Sequence, residues 1–250
     1  MLIPILAAVL PALVLMFYVY HRDFNPEPVR LVVKGFGFGA LATMVSSLIS
    51  GPLMAMGYFT LEPEGFWDCI RVSFFGAAIP EECAKLLMLW LLLRNCAEFD
   101  ERYDGIVYAV AVGLGFATLE NIEYVLAAGA DWFSVSVSRA LFAVPGHFAF
   151  AVVMGYYYSL YHFYGESAPK GTKAKIILYP ILLHGVYDSI VFVSNLGAGW
   201  SGILTLVLIY FCYRLFKASR ERIRLASTDE DLRARIMRDS APMDDAPDEQ

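Results

Sequence analysis

The sequence predicts an all-α protein that crosses a membrane about seven times. Three observations carry that prediction. Of 250 residues, 58% are hydrophobic and only 18% are charged, more apolar side chain than a soluble domain of this size can bury. Apolar stretches of about 20 residues, the length that spans a hydrocarbon core of roughly 30 Å, recur along the chain. The loops between them alternate between basic and non-basic, the pattern that sets orientation in a bilayer.

In order, the predicted spans run near 2–20, 35–59, 66–93, 105–128, 132–163, 175–195 and 199–216. The first has no basic leader and no small-residue cleavage site, so it reads as a retained helix and not as a signal peptide. The loop after it holds Arg22, Arg30 and Lys34, and in FNPEPVRLVVKG the prolines Pro26 and Pro28 prevent helix before a short amphipathic surface stretch. LEPEG, the next loop, has no Lys or Arg. RNCAEFDERYD brings Arg94 and Arg102, AAGADWF none, GESAPKGTKAK three lysines, SNLGAGWSG none, and the tail from Tyr213 many. The N-terminus is therefore expected outside and the C-terminus in the cytosol. Residues 1–216 form the membrane domain. Residues 217–250 form a charged cytosolic tail, with a helix start expected at Ser227 and disorder expected in SAPMDDAPDEQ.

The net charge of −6 owes much to Asp229–Gln250, which is rich in Asp and Glu, and nothing in the chain suggests nucleic-acid binding. Cys69, Cys83, Cys96 and Cys212 lack CxxC spacing, which argues against a disulfide framework or a zinc ribbon. Internal repeats are absent by inspection, which weighs against a transporter of duplicated halves.

Function is concentrated in polar residues within the spans. A charged group there costs several kcal/mol unless it is paired or hydrated, so each one marks a candidate site. The third span holds Glu81, Glu82 and Lys85, and the fourth holds Glu120, Asn121 and Glu123. The fifth holds Arg139 and His147, and the sixth His184 and Asp188. At 1.5 Å per residue, Glu82 and His147 lie roughly 23 Å from the outer ends of their helices, His184 roughly 16 Å, Glu120 roughly 12 Å and Asp188 roughly 10 Å. Acids and imidazoles from four helices thus overlap in depth.

Spacing narrows the options. Glu81 and Lys85 share a helix face, as do His184 and Asp188, while Glu82 lies about 100° round from Glu81 and needs no common partner. Pro80 is expected to open the helix at this point and admit water. A carboxylate in a low-dielectric pocket suits proton abstraction from water. The imidazoles with an acid, drawn from His147, His184, Glu120 and Asp188, form a possible set of Zn²⁺ ligands. The expectation is water with one metal ion at a site among the third to sixth spans; the alternative without metal has Glu and His activate water while His184 with Asp188 stabilises an oxyanion. Glu81 with Lys85 also has a purely structural reading as an ion pair, as Glu120 with Asn121 does as an interhelical hydrogen-bond group. Glu123 reads as interfacial, Arg139 either snorkels outward or pairs with an acid, and His21 and His162 sit at membrane ends.

Four ordered motifs, PEECAK (80–85), GFATLENIEY (115–124), GHFAFAVVMGYY (146–157) and HGVYD (184–188), together with the Glu-Pro at 27–28, resemble the PrsW family of intramembrane proteases. That family is related to the CAAX prenyl endopeptidases and the bacteriocin-processing membrane proteases. The resemblance implies peptide-bond hydrolysis in or at the edge of the bilayer, with a membrane-anchored protein as substrate; the family's namesake makes the first cut in an anti-sigma factor. It implies that Glu81 and Glu82 form the double-glutamate motif, that Glu81 and His147 activate water, and that His184 with Asp188 steadies the tetrahedral intermediate. Asp188 departs from the Asn common in the CAAX enzymes. The family has been described both as metalloprotease and as glutamic protease. The competing classes are a proton-coupled transporter or channel, and a non-catalytic membrane scaffold. Localisation in a bacterial cell membrane follows from the protease reading, and the oligomeric state is left open.

Overall fold

The computed structural model describes residues 2–197 and 199–240, with side chains of 229–240 not described. Every described element is helical. The elements are α1 (Leu2–Tyr20), α2 (Val29–Ala55), α3 (Phe66–Arg71), a π-helical segment Val72–Ala78, α4 (Ile79–Leu93), α5 (Asp104–Ala127), α6 (Trp132–Ser138), a second π-helical segment Arg139–Ala143, α7 (Val144–Tyr164), α8 (Thr172–Asn195) and α9 (Ser201–Ser240). Each of the seven predicted spans appears as a helical segment. Six are long and apolar enough to cross a membrane by length and composition. The unbroken helical run from Phe66 to Leu93 is not among the six, because it carries Asp68, Arg71, Glu81, Glu82 and Lys85.

At the centre stands α5, apolar around its whole circumference and buried along most of its length, as a helix enclosed by others must be. Packed on it are α1, α2 and α7; α8 and α9 complete the far side of α7, and α4 lies between α2 and α8. The close α2–α5 crossing depends on two glycines. A Cβ on Gly39 would collide with the Val112 carbonyl, and one on Gly115 with that of Phe36. Small residues let helix backbones approach where lipid supplies no hydrophobic drive for association. The outward faces of α1 and α9 carry exposed Leu6, Leu10, Phe17, Leu206 and Ile209, as a lipid-facing surface requires. All four tryptophans, Trp67, Trp90, Trp132 and Trp200, fall at or near helix ends, where amphipathic rings settle at a membrane interface.

Two local expectations change. After Pro28 the chain enters α2 directly, with the Leu31 amide donating to the Pro28 carbonyl at 2.8 Å, so there is no separate amphipathic stretch. Proline at a helix start has no amide to satisfy, which is why it tolerates that place. Likewise no helix starts at Ser227. The helix runs unbroken from Ser201 to Ser240, and the Ser227 hydroxyl bonds back to the Arg224 carbonyl at 3.1 Å instead of capping a new turn. The expected disorder of the last ten residues lies outside the described residues.

Candidate active site

Both π-helical segments end two residues before a proline. Ile79 bonds the Phe74 carbonyl and Val144 the Arg139 carbonyl, each spanning five residues, with Pro80 and Pro145 next in line. Proline cannot donate to the carbonyl four residues back and its ring crowds it, so a wider turn ahead of it relieves the conflict. The opening expected at Pro80 therefore takes the form of a widened turn before it. The equivalent at Pro145 was not foreseen, although AIPEE and AVPGH share the same spacing of alanine and proline. Such turns recur at functional sites because an inserted residue re-aims the side chains that follow. Here those side chains are Glu81 and Glu82 on one helix and His147 on the other.

The acids and imidazoles of four helices converge. Lys85 Nζ lies 3.2 Å from Glu81 Oε2, 2.8 Å from Glu82 Oε1 and 3.1 Å from His147 Nδ1. The two glutamates thus share a partner, which their separation around the helix had not required. His147 Nε2 faces Glu120 Oε2 at 2.9 Å, and Arg139 Nη2 donates to the same oxygen at 2.7 Å. Arg139 Nε reaches Asn121 Oδ1 at 2.5 Å, and its guanidinium lies 4.1 Å above the Tyr124 ring. So Arg139 pairs with an acid and does not snorkel. Asn121 in turn donates to the Ala8 carbonyl at 3.2 Å, tying α5 to α1. His184 Nδ1 faces Glu82 Oε1 at 2.9 Å, while its Nε2 lies 3.3 Å from Asp188 Oδ2 and 3.9 Å from Glu81 Oε2. The imidazole nearest Glu81 is therefore His184.

The ring nitrogens can be assigned from these neighbours. A His147 that donates Nε2–H to Glu120 and accepts at Nδ1 from Lys85 satisfies both contacts. His184 has carboxylate oxygens at both of its ring nitrogens. Its ring stacks on Phe150 with centroids 4.9 Å apart, which fixes its plane.

A cavity of about 620 Å³ gives these groups access. Glu81, Glu120, Arg139, His147, His184 and Asp188 line it, and it extends to Leu61 and Asn195 at the helix ends. The side chain of Glu81 is 12% exposed and that of Glu82 only 1%. Glu82 and Lys85 do not line the cavity and stand behind it. Glu123 is exposed, one turn along the helix from Glu120, and His162 packs against Phe99 near the basic-loop end, 4.3 Å between ring centroids. His21 is exposed at the end of α1. All four cysteines are free thiols, Cys83 among them.

Ligating atoms of Glu81, Glu82, His147 and His184 all lie within 4.8 Å of one another. That set differs from the one expected, because Glu120 and Asp188 are spent on Arg139 and on the imidazoles. The family description includes metal, and the donor types suit zinc. The arrangement does not, since the Lys85 ammonium already stands among three of the four donors and each imidazole nitrogen has a partner.

Comparison with known proteins identifies the family. A family model described as PrsW family intramembrane metalloprotease matches residues 27–215. The protein named Protease PrsW from Clostridioides difficile strain 630 is 35% identical over 213 residues, which cover 84% of this chain and 87% of the relative. Protease PrsW of Bacillus subtilis strain 168 is 32% identical over 218 residues, covering 86% and 94% respectively. No solved structure matches the chain. With a family model spanning most of its length and curated relatives matched nearly end to end, the chain belongs to the PrsW family and is an integral-membrane peptidase.

Proposed function

We propose that this protein hydrolyses a peptide bond of a membrane-anchored protein at the outward-facing half of the bilayer, with Glu81 as the general base. One observation carries the reading: Glu81, His147, His184 and Asp188 face a single cavity that reaches Leu61 and Asn195, beside the loops that lack Lys and Arg. By the basic-loop pattern those loops lie outside, with the N-terminus outside and the charged tail cytosolic.

In this mechanism Glu81 takes a proton from a cavity water as the water oxygen bonds to the scissile carbonyl carbon. Negative charge develops on the carbonyl oxygen, to which His184 Nε2–H turns from its 3.3 Å contact with Asp188 while Nδ1 stays on Glu82. The carbon–nitrogen bond then breaks as Glu81 passes its proton to the departing nitrogen, leaving a carboxylic acid and an amine. One group can make both transfers, because Glu81, having accepted the water proton, is then an acid beside the departing nitrogen. Glu82 is the poorer base, because Lys85 and His184 already occupy it and it has no access to the cavity. Metal chemistry would require the donors Glu81, Glu82, His147 and His184, which Lys85 already engages or adjoins. A single-span anti-sigma factor, the substrate class implied by the family resemblance, would present its cleavage site to such a cavity from the side.

The test uses the full chain in proteoliposomes with single-span reporter proteins. Cleavage by the parent protein, lost in Glu81→Gln and His147→Ala while both variants keep the parent's unfolding temperature, is the expected result. Retained cleavage in Glu81→Gln would remove Glu81 from its role. Loss of cleavage accompanied by unfolding would favour the scaffold reading, and proton flux without cleavage the transporter.

A further inference from the structure

We propose that the Lys85 ammonium is the resident cation of the active site, standing among Glu81, Glu82 and His147 where a divalent metal would otherwise bind, and that this peptidase works without metal. The inference rests on the active-site reading above and deepens it.

The geometry is that of a cation centre. Nζ contacts two carboxylate oxygens at 3.2 and 2.8 Å and an imidazole nitrogen at 3.1 Å, and it lies 4.0 Å from the centroid of the Phe116 ring. An ammonium has three hydrogens, and the structure supplies three acceptors. Zinc would need these same atoms at about 2.0 to 2.2 Å, and would then sit against the ammonium inside a pocket where Lys85 is only 3% exposed. Two cations repel strongly in so enclosed a pocket. Burial on the same helix face as Glu81 and Glu82 means that Lys85 is delivered there by local helix geometry alone, before any ligand arrives.

The same contacts define what Lys85 does. It holds two adjacent carboxylates together against their repulsion, which leaves Glu81 Oε1 free to face the cavity. By donating to His147 Nδ1 it also sets that ring with Nε2–H toward Glu120. Lys85 does not line the cavity and so touches no substrate. It is a positioning residue, and a compact ammonium is required because the planar fork of arginine cannot meet three converging acceptors at once.

Metal content decides the matter independently of protease activity. The full chain in detergent is incubated with excess Co²⁺ or Zn²⁺, desalted and analysed for bound metal and, with Co²⁺, for visible ligand-field absorption. Wild-type protein is expected to retain neither metal. Lys85→Met, which keeps the length of the stem and removes the charge, is expected to take up an equivalent of Co²⁺ that is lost again in Lys85→Met/His147→Ala. Lys85→Arg should exclude metal like the parent while losing much of the activity. Wild-type cleavage should be unchanged by a chelator that strips zinc.

Stoichiometric metal in folded wild-type protein, lost in His147→Ala, would overturn the proposal. So would a folded Lys85→Met that binds none, because Lys85 would then not be holding a metal's place. If Lys85→Met does not fold, the wild-type titration alone decides. Failure of the protease reading would look different: no reporter is cut under any condition, with metal content unaffected.

Discussion

Two groups of carboxylates gather around Asp104 and Glu120 of α5, about 24 Å apart along that helix, and the protein treats them in opposite ways. Near the start of the helix, Asp104 lies with Glu27 and Asp23, all at least nine-tenths buried. Neutral donors serve these acids. Tyr108 donates to Glu27, the amides of Asp100 and Glu101 donate to Asp104 at 3.0 and 2.7 Å, and the Asn25 amide donates to Asp23 at 3.1 Å. Near the other end, Glu120 joins Glu81, Glu82 and Asp188 among Lys85, Arg139 and two imidazoles. The first group pins the loop at 21–28 to the core. In the second, each acid is matched by a cationic or imidazole partner, and the group has a cavity beside it. Burial alone is thus a poor guide to chemistry. Compensating charge together with access to water marks the site.

That contrast can be broken most directly at Glu81. Glu81→Gln should reduce cleavage of a membrane-anchored reporter by about a thousandfold, within the range for loss of a general base, with no change in unfolding temperature. An equal loss from Glu27→Gln without unfolding would erase the distinction between the two groups. Glu82→Gln comes next and acts differently. It removes the negative charge that Lys85 and His184 share, so thermal unfolding should show a loss of about 3 kcal/mol, as for other broken buried pairs, along with lost activity. A fully stable Glu82→Gln would show that Lys85 is held by Glu81 alone.

Arg139→Met probes the support behind His147. Removing the guanidinium leaves Glu120 without its 2.7 Å partner, and activity should fall by about 10- to 100-fold, the usual cost of disturbing a residue that orients a site. Adding Glu120→Gln should recover part of that loss, measured as kcat, because the unpaired charge is then gone. The smallest effect is expected at the other group. Burial, with Glu27 and Glu101 nearby, pushes the Asp23 carboxyl up from 3.8 to about 7. The folded state therefore keeps a proton that the unfolded chain loses, so this contribution to stability is complete below pH 4 and declines as pH rises to 7. Unfolding temperatures of the parent should fall over that interval, and Asp23→Asn should flatten the slope while leaving cleavage intact.

Much of this architecture was legible from the residues. Span positions and loop polarity follow from composition, since the thickness of the hydrocarbon core sets the length of an apolar run. Membership of one site was legible too, because intramembrane acids and imidazoles at overlapping depths have few other ways to be tolerated. The partnerships were not. Spacing allowed Glu82 to ignore Lys85, paired Glu81 with His147 only by resemblance, and left Arg139 between two fates. Rotation about a helix axis decides such matters, and the two π-helical turns change that rotation in a way that hydrophobic periodicity does not report. The start expected at Ser227 failed for a related reason: a hydroxyl inside a helix can bond backward as readily as it caps.

By itself, then, the sequence determined that this is a helical membrane protein with a polar centre in its interior, because hydrophobic length and the cost of buried charge are properties of local composition. Only the tertiary structure decided which glutamate meets the cavity, which imidazole each acid holds, and that a lysine stands at the centre of the donors. Those outcomes depend on how four helices are turned toward one another, and that is settled by packing at contacts such as Gly39 on α5 and Gly185 against Phe74, far apart in the chain.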